Sequence, residues 1–273
     1  CLTGQKMQQH IVGEIKITPA EVRRYFKDLP QDSIPFVPTQ VEVQIVTLEP
    51  KIPLEEVERV KKTLRDYTDG INSGKMSFAT YARFYSEDPG TARRGGELGF
   101  MGKGELVPEY ANVAFNLQDP NKVSKIVETE FGFHIIQLIE KRGDRINTRH
   151  ILLKPKVEEK DLEAALVRLD SIADDIRNQK FTFDDAATYI SQDKDTKNNH
   201  GLMANKNTGT ARFEMQDLAQ VSQEVAKMVE NMNVGEISRA FTMINDKGKE
   251  VCAIVKLKSR ICLLYTSPSP RDS

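Results

Sequence analysis

Between residues 41 and 46 apolar and polar side chains alternate, with Val41, Val43 and Ile45 set against Glu42 and Gln44. A period of two reads as a half-buried strand. Val57, Val60, Leu64, Tyr67 and Ile71 then recur at steps of three and four, the stripe of an amphipathic helix, and Gly74 stops it. Ser77 is placed to cap a second, shorter helix that carries Phe78 inward. Pro108 suits the first turn of a third helix over 107–117, and an apolar run over 133–139 predicts a closing strand.

The pattern then repeats. Phe78 to Asp88 realigns with Phe183 to Asp193 at a spacing of 105 residues, and Val43-Gln44-Ile45-Val46 matches Arg149-His150-Ile151-Leu152 at 106. Leu162, Leu166, Leu169, Ile172 and Ile176 form the second long helical stripe, and Thr182 repeats the capping position of Ser77. Toward the ends Val123-Ser124 matches Ile237-Ser238, and His134-Ile135-Ile136 falls opposite Cys252-Ala253-Ile254. Each copy therefore predicts an α+β domain of roughly a hundred residues in β-α-α-α-β order. The expected boundaries are 40–142 and 143–261, with 1–39 preceding both. If the first and last strands of a copy are neighbours, Gln44 lies beside His134 and His150 beside Cys252.

Composition narrows the function classes. Hydrophobic residues make up 39% and charged residues 29%, as in an ordinary globular protein, and the net charge of −1 gives no reason to expect nucleic acid as a partner. No apolar run is long enough to suggest an integral membrane segment. With Cys262 in an adapter-like end, Cys1 and Cys252 supply no disulfide framework and no metal set, so no metal or cofactor is expected. Residues 1–39 hold a capping box, Thr18-Pro19-Ala20-Glu21, followed by a proline-punctuated linker. Residues 262–273 read as a translated library adapter rather than part of the fold.

The chemistry-bearing residues concentrate between Tyr85 and Ile136. They run Tyr85-Ser86-Glu87-Asp88-Pro89-Gly90, Arg94-Gly95-Gly96-Glu97-Leu98-Gly99-Phe100, Glu105-Leu106-Val107-Pro108-Glu109-Tyr110, Phe115, and Phe131-Gly132-Phe133-His134-Ile135-Ile136. A phosphate loop is excluded, because Glu97 stands where the first glycine of such a loop belongs and Gly104 replaces its Ser/Thr. In this order the segments resemble the parvulin (rotamase, PpiC-type) peptidyl-prolyl cis-trans isomerases. The tandem arrangement and the leading segment resemble SurA-like periplasmic chaperones, with 1–39 as the remnant of their N-terminal chaperone domain.

The resemblance implies two tandem parvulin (FKBP-like) domains, each a small antiparallel sheet wrapped by helices. It also implies rotation about X-Pro bonds of unfolded or extended polypeptides, outer-membrane proteins among them, in the periplasm. Leu106, Tyr110 and Phe115, with Phe131 nearby, then match the cup that grips the proline ring. Asp88 matches the polar position at its wall, and His134 the histidine of the closing strand. Gln44 stands where the family has a first-strand histidine, a departure that puts the paired-histidine network of this copy in doubt. The second copy keeps His150 and Asp193 as counterparts but has Cys252 opposite His134, a shortened glycine loop, and Phe213-Glu214-Met215 in place of the cup segment. It is expected to bind or support rather than catalyse, with activity residing in 40–142. The competing reading is a non-catalytic chaperone with both copies degenerate.

Overall fold

The computed structural model describes residues 39–262. These form two compact units, one of residues 47–174 with 240–253, the other of residues 39–46, 175–239 and 254–262. Each is taken by itself below.

The first unit is built on a four-stranded sheet in the order β2-β5-β4-β3. Its strands are β2 (Glu97–Gly102), β3 (Val127–Thr129), β4 (Gly132–Arg142) and β5 (Arg145–Leu153). All the pairs are antiparallel. Helix α1 (Leu54–Asn72) lays Val60 and Leu64 on one face of this sheet, where they meet Phe133, Ile135, Ile151 and Leu153. Val57, Tyr67 and Ile71 complete the stripe that the sequence announced. Helix α2 (Phe78–Tyr85) adds Phe78, Tyr81 and Ala82 to the same layer. The Thr80 amide donates to Ser77 Oγ at 3.2 Å, which is the expected cap.

The opposite face is covered by α3 (Pro108–Ala114), whose Tyr110 and Ala114 pack with Val127, Ile136, Leu138 and Ile146. This helix is shorter than the 107–117 expected, because Asn116 and Leu117 close three-residue turns onto Val113 and Ala114. Alternation along β4 thus sends Phe133 and Ile135 toward α1 and His134, Ile136 and Leu138 toward α3. The same alternation along β5 puts His150 on the α3 face.

The second sheet has the order β6-β1-β8-β7. It is made of β1 (Gln40–Leu48), β6 (Phe213–Glu214), β7 (Phe241–Ile244) and β8 (Glu250–Ile261). Four helices accompany this half of the sequence: α4 (Glu159–Arg177), α5 (Phe183–Tyr189), α6 (Met215–Val221) and α7 (Gln223–Glu230). Thr182 caps α5 in a complete capping box with Asp185. The fold is thus the expected α+β type with two antiparallel sheets.

The allocation of strands departs from the expectation. The opening strand of the first copy, β1, lies in the second sheet, and the opening strand of the second copy, β5, lies in the first. Gln44 is therefore not beside His134, and His150 is not beside Cys252; His134 and His150 share a sheet instead. The physical reason is the connection between β4 and β5. Only Gly143 and Asp144 separate Arg142 from Arg145, which are register partners, so the two strands fold back as a hairpin. No other strand can come between them. The register runs from Phe133↔Leu153 to Arg142↔Arg145 with one bulge, and the expected boundary at 142/143 falls in its turn.

The sequence alignment of the opening strands also slips by one residue. The His150 amide donates to the Gly96 carbonyl at 3.0 Å, and in the second unit the Ile45 amide donates to the Gly201 carbonyl at 2.8 Å. Arg149 pairs with Glu97 and Gln44 bridges Leu202 in the same relation. Ile45, not Gln44, is the structural counterpart of His150. A shift of one residue turns every side chain of a strand to the other face. On the closing strands Ser124 and Ile136 exchange the same two hydrogen bonds as Ser238 and Val255. That pairing makes Ala253 the counterpart of His134, and Cys252 falls on the opposite face.

Candidate active site

The sheet positions the polar core of the first unit. His134 on β4 pairs with Leu152 on β5, and Ile136 pairs with His150, so the two histidines are diagonal neighbours on one face. Their rings stack with centroids 5.2 Å apart and 19° between planes, and the two Nδ1 atoms are 3.0 Å apart. Both residues are buried. His150 Nε2 lies 2.6 Å from Asp88 Oδ2 and 3.1 Å from Thr91 Oγ1. Thr91 Oγ1 itself donates to Asp88 Oδ2 at 2.6 Å, and the Gly90 amide donates to Oδ1 at 3.2 Å. At the other end Thr129 Oγ1 lies 2.6 Å from His134 Nε2 and accepts from the Phe131 amide at 3.1 Å.

An ionised carboxylate only accepts, so His150 Nε2 carries a hydrogen directed at Asp88. The two facing Nδ1 atoms share one hydrogen. Every ring nitrogen thus has a partner along the chain Thr129, His134, His150, Asp88. Burial holds His134 down to about 3, with the neighbouring His150 acting the same way and Asp88 opposing them. The hydrogen bond from His150, aided by Thr91 and the Gly90 amide, holds the Asp88 carboxyl well below its usual range against the cost of burial. With 27% of its side chain exposed against 7% for His150, Asp88 is the end of the chain that reaches solvent.

Tyr110 stands edge-on to both rings, at 5.6 Å from His134 and 5.7 Å from His150. Its hydroxyl meets Thr148 Oγ1 at 2.7 Å, and burial raises its ionisation above the usual tyrosine value. Leu98, Leu106 and Phe115 are partly buried against the Tyr110 layer, which leaves apolar surface open beside the polar chain. Phe131 is half-buried at the β3–β4 turn, with Lys247 Nζ 5.5 Å from its ring centre. Among the described residues no cluster of His, Cys, Asp and Glu could hold a metal ion, and no helix is long and apolar enough to cross a membrane.

Of the residues singled out in the sequence, the structure gathers Asp88, His134 and Tyr110 and places Leu106 and Phe115 against the Tyr110 layer. It adds His150, which the sequence repeat places in the other copy, together with Thr91, Thr129, Thr148 and Leu98. Gln44 is elsewhere: its Nε2 donates to Asp184 Oδ1 at 2.6 Å and to the His200 carbonyl at 2.8 Å. Asp193 keeps the hydroxyl partner of its counterpart, accepting from Thr196 Oγ1 at 2.6 Å. Cys252 is buried with Sγ 3.7 Å from the Leu162 carbonyl, and desolvation pushes its thiol up to about 11. The threonines carried a faint signal in their spacing from Asp88 and His134. The position of His150 was readable in the two-residue Gly143-Asp144 connection.

A model of the PPIC-type PPIASE domain matches the chain twice, over residues 45–140 and 150–259. The chain belongs to the PpiC-type isomerase family. It is 30% identical over 237 residues to the "Chaperone SurA" of Aliivibrio fischeri, covering 85% of this chain and 51% of that protein. It is 40% identical over 103 residues to the "Chaperone SurA" of Shewanella denitrificans, 38% of this chain and 23% of that one. It is 36% identical over 113 residues to the "Foldase protein PrsA 4" of Bacillus cereus, 41% of this chain and 36% of that one. The chain thus spans about half the length of the Aliivibrio relative and less of the other two. The PpiC-type matches follow the copies as they lie in sequence, whereas the sheets trade the opening strands.

Proposed function

We propose that the first unit is a peptidyl-prolyl cis-trans isomerase acting on X-Pro bonds of unfolded or extended clients, within a SurA-like periplasmic chaperone. The observation that carries this reading is the hydrogen-bonded chain Thr129–His134–His150–Asp88 set beside the apolar residues Leu98, Leu106 and Phe115. Rotation about a peptide bond faces a barrier of roughly 18–20 kcal/mol, maintained by amide resonance. The twisted amide has lost resonance and is less dipolar than either planar isomer. An apolar cup therefore favours it over the planar states, and rigidly held polar groups at the wall add to that preference without reorganising. Such a reaction requires no nucleophile and moves no proton from the substrate. The network suits it, because it holds Asp88 in one place and keeps its carboxyl ionised.

The half of the structure around the second sheet supports a different role. Ile45 on β1, from the first copy, and Ala253 on β8, from the second, stand where the first sheet has its two histidines, although Asp193 and Thr196 persist. Without ring nitrogens the relay has no counterpart there, and this half acts as a binding or supporting module. The names of the relatives, chaperone and foldase, favour polypeptide clients.

The test is isomerisation of a short X-Pro peptide by the whole chain and by its Asp88→Ala variant. A wild-type rate above background that falls by tenfold or more in a folded variant, about 1.4 kcal/mol of transition-state stabilisation, is the expected result. Background rates with both proteins, together with retained suppression of client aggregation, would favour the non-catalytic chaperone.

A further inference from the structure

The catalytic unit is not one repeat of the sequence. We infer that the second copy is required for activity of the first, because its opening strand β5 delivers His150 into the relay. The inference rests on the isomerase reading of that site and adds which part of the chain completes it.

Three observations carry it. The first is the turn at Gly143-Asp144, which forces β5 against β4, and β5 then also pairs with β2 from Glu97↔Arg149 to Gly102↔Arg145. The second is the fate of β1. It is fixed in the other sheet by Gln40↔Glu214 and Val41↔Phe213, by the amide of Ile45 on Gly201 and by the Gln44–Leu202 bridge. The third is what β1 would bring in place of β5. By the matching glycine contacts Ile45 takes the position of His150, and an isoleucine side chain offers no N–H to Asp88 and no ring nitrogen to His134 Nδ1. A first copy that kept its own opening strand would hold a broken chain, with His134 unpaired on one side and Asp88 left to Thr91 and Gly90. Trading the strands is what makes the site complete. It also explains how the second copy, whose own closing strand has Ala253 in place of His134, still contributes to the reaction.

His150 touches Asp88 and His134, so it acts as a positioning residue. The test uses the whole chain with its four histidines labelled with nitrogen-15 in the rings. In the unmodified protein, a ring-proton contact between His134 and His150 is expected, and its absence would overturn the inference without any variant. His150→Asn should lower kcat by about tenfold or more with little change in KM, and should move the His134 ring-nitrogen signals. Gln44→Ala should leave both readings alone. The reverse pattern, with His134 responding to Gln44 and not to His150, would show that each copy keeps its own strand. A chain with the ring contact but no isomerase activity would overturn the proposed function and leave the shared strand purely architectural. Activity without the contact would overturn the inference alone.

Discussion

Gly96 and His150 are fitted backbone to backbone: the His150 amide donates to the Gly96 carbonyl at 3.0 Å, and a Cβ on Gly96 would run into the His150 carbonyl oxygen. Gly96 also holds φ at +83°, which side-chain-bearing residues avoid. The glycine-rich segment is therefore a close-packing device that seats the histidine strand. Gly96→Ala should destabilise the protein by about 2 kcal/mol or more, combining left-handed strain with a clash against backbone. Gly104→Ala, with open space around its Cβ position, should change stability little. Thermal melts of the two variants give the comparison.

His200 occupies the position of Gly95 in the second copy, with φ of +55° against +68°. Left-handed backbone costs a non-glycine residue roughly 1–2 kcal/mol, while glycine gives back roughly 0.5–1 kcal/mol in unfolded-chain entropy. His200→Gly should thus stabilise the chain by up to about 1.5 kcal/mol. A drop in the urea midpoint would mean that the imidazole makes a compensating interaction.

The buried histidine sets an acid limit on stability. Folded His134 stays neutral down to about 3, whereas the unfolded side chain takes up its proton near the ordinary value of 6.5. Between those values the unfolded state binds more protons, so stability falls as pH falls, by up to about 1.4 kcal/mol per pH unit. Asp88, whose carboxyl is held low, acts in the same direction further down: its contribution is present above the unfolded value near 4 and is lost below it. Urea denaturation of wild type and His134→Asn from about pH 7 to about pH 4.5 should show a flatter dependence in the variant. Parallel curves would place the acid sensitivity elsewhere.

Tyr110→Phe removes a hydroxyl bonded to Thr148 at 2.7 Å and leaves a buried threonine oxygen without that partner. The expected loss is about 1–2 kcal/mol, with the edge-on ring contacts to the histidines preserved. Isomerase activity measured well below the melting temperature should change much less than for Asp88→Ala.

Leu106→Ala should act on binding. The side chain is only partly buried against the Tyr110 layer, so truncation opens the apolar surface proposed above to take proline. KM for an X-Pro peptide should rise, while the melting temperature moves little. A large fall in stability with unchanged KM would make Leu106 a core residue instead.

Much of this molecule was written in one dimension. The period-two run at Val41–Ile45, the helical stripe from Val57 to Ile71, the caps at Ser77 and Thr182 and the repeat itself follow from local chemistry, because alternation, helical pitch and capping need only near neighbours. The same holds for Asp88, whose bond from the Gly90 amide is a local turn and which the Asp-Pro-Gly run announces.

What local pattern could not decide was strand ownership. Two similar opening strands can each pair with either closing strand, and hydrophobic alternation is nearly the same for both. A two-residue turn resolved the choice by making β4 and β5 neighbours, and with that His150 passed from the second copy to the first site. Register was likewise settled only in three dimensions. The alignment at 106 residues and the glycine contacts at 105 differ by a single position, and in a strand that position decides whether a side chain faces the site or faces away. Local pattern was enough for the elements, the repeat and Asp88. Which histidine meets that carboxylate was settled in three dimensions, since backbone pairing between distant strands, and not any local preference, sets which side chains share a face.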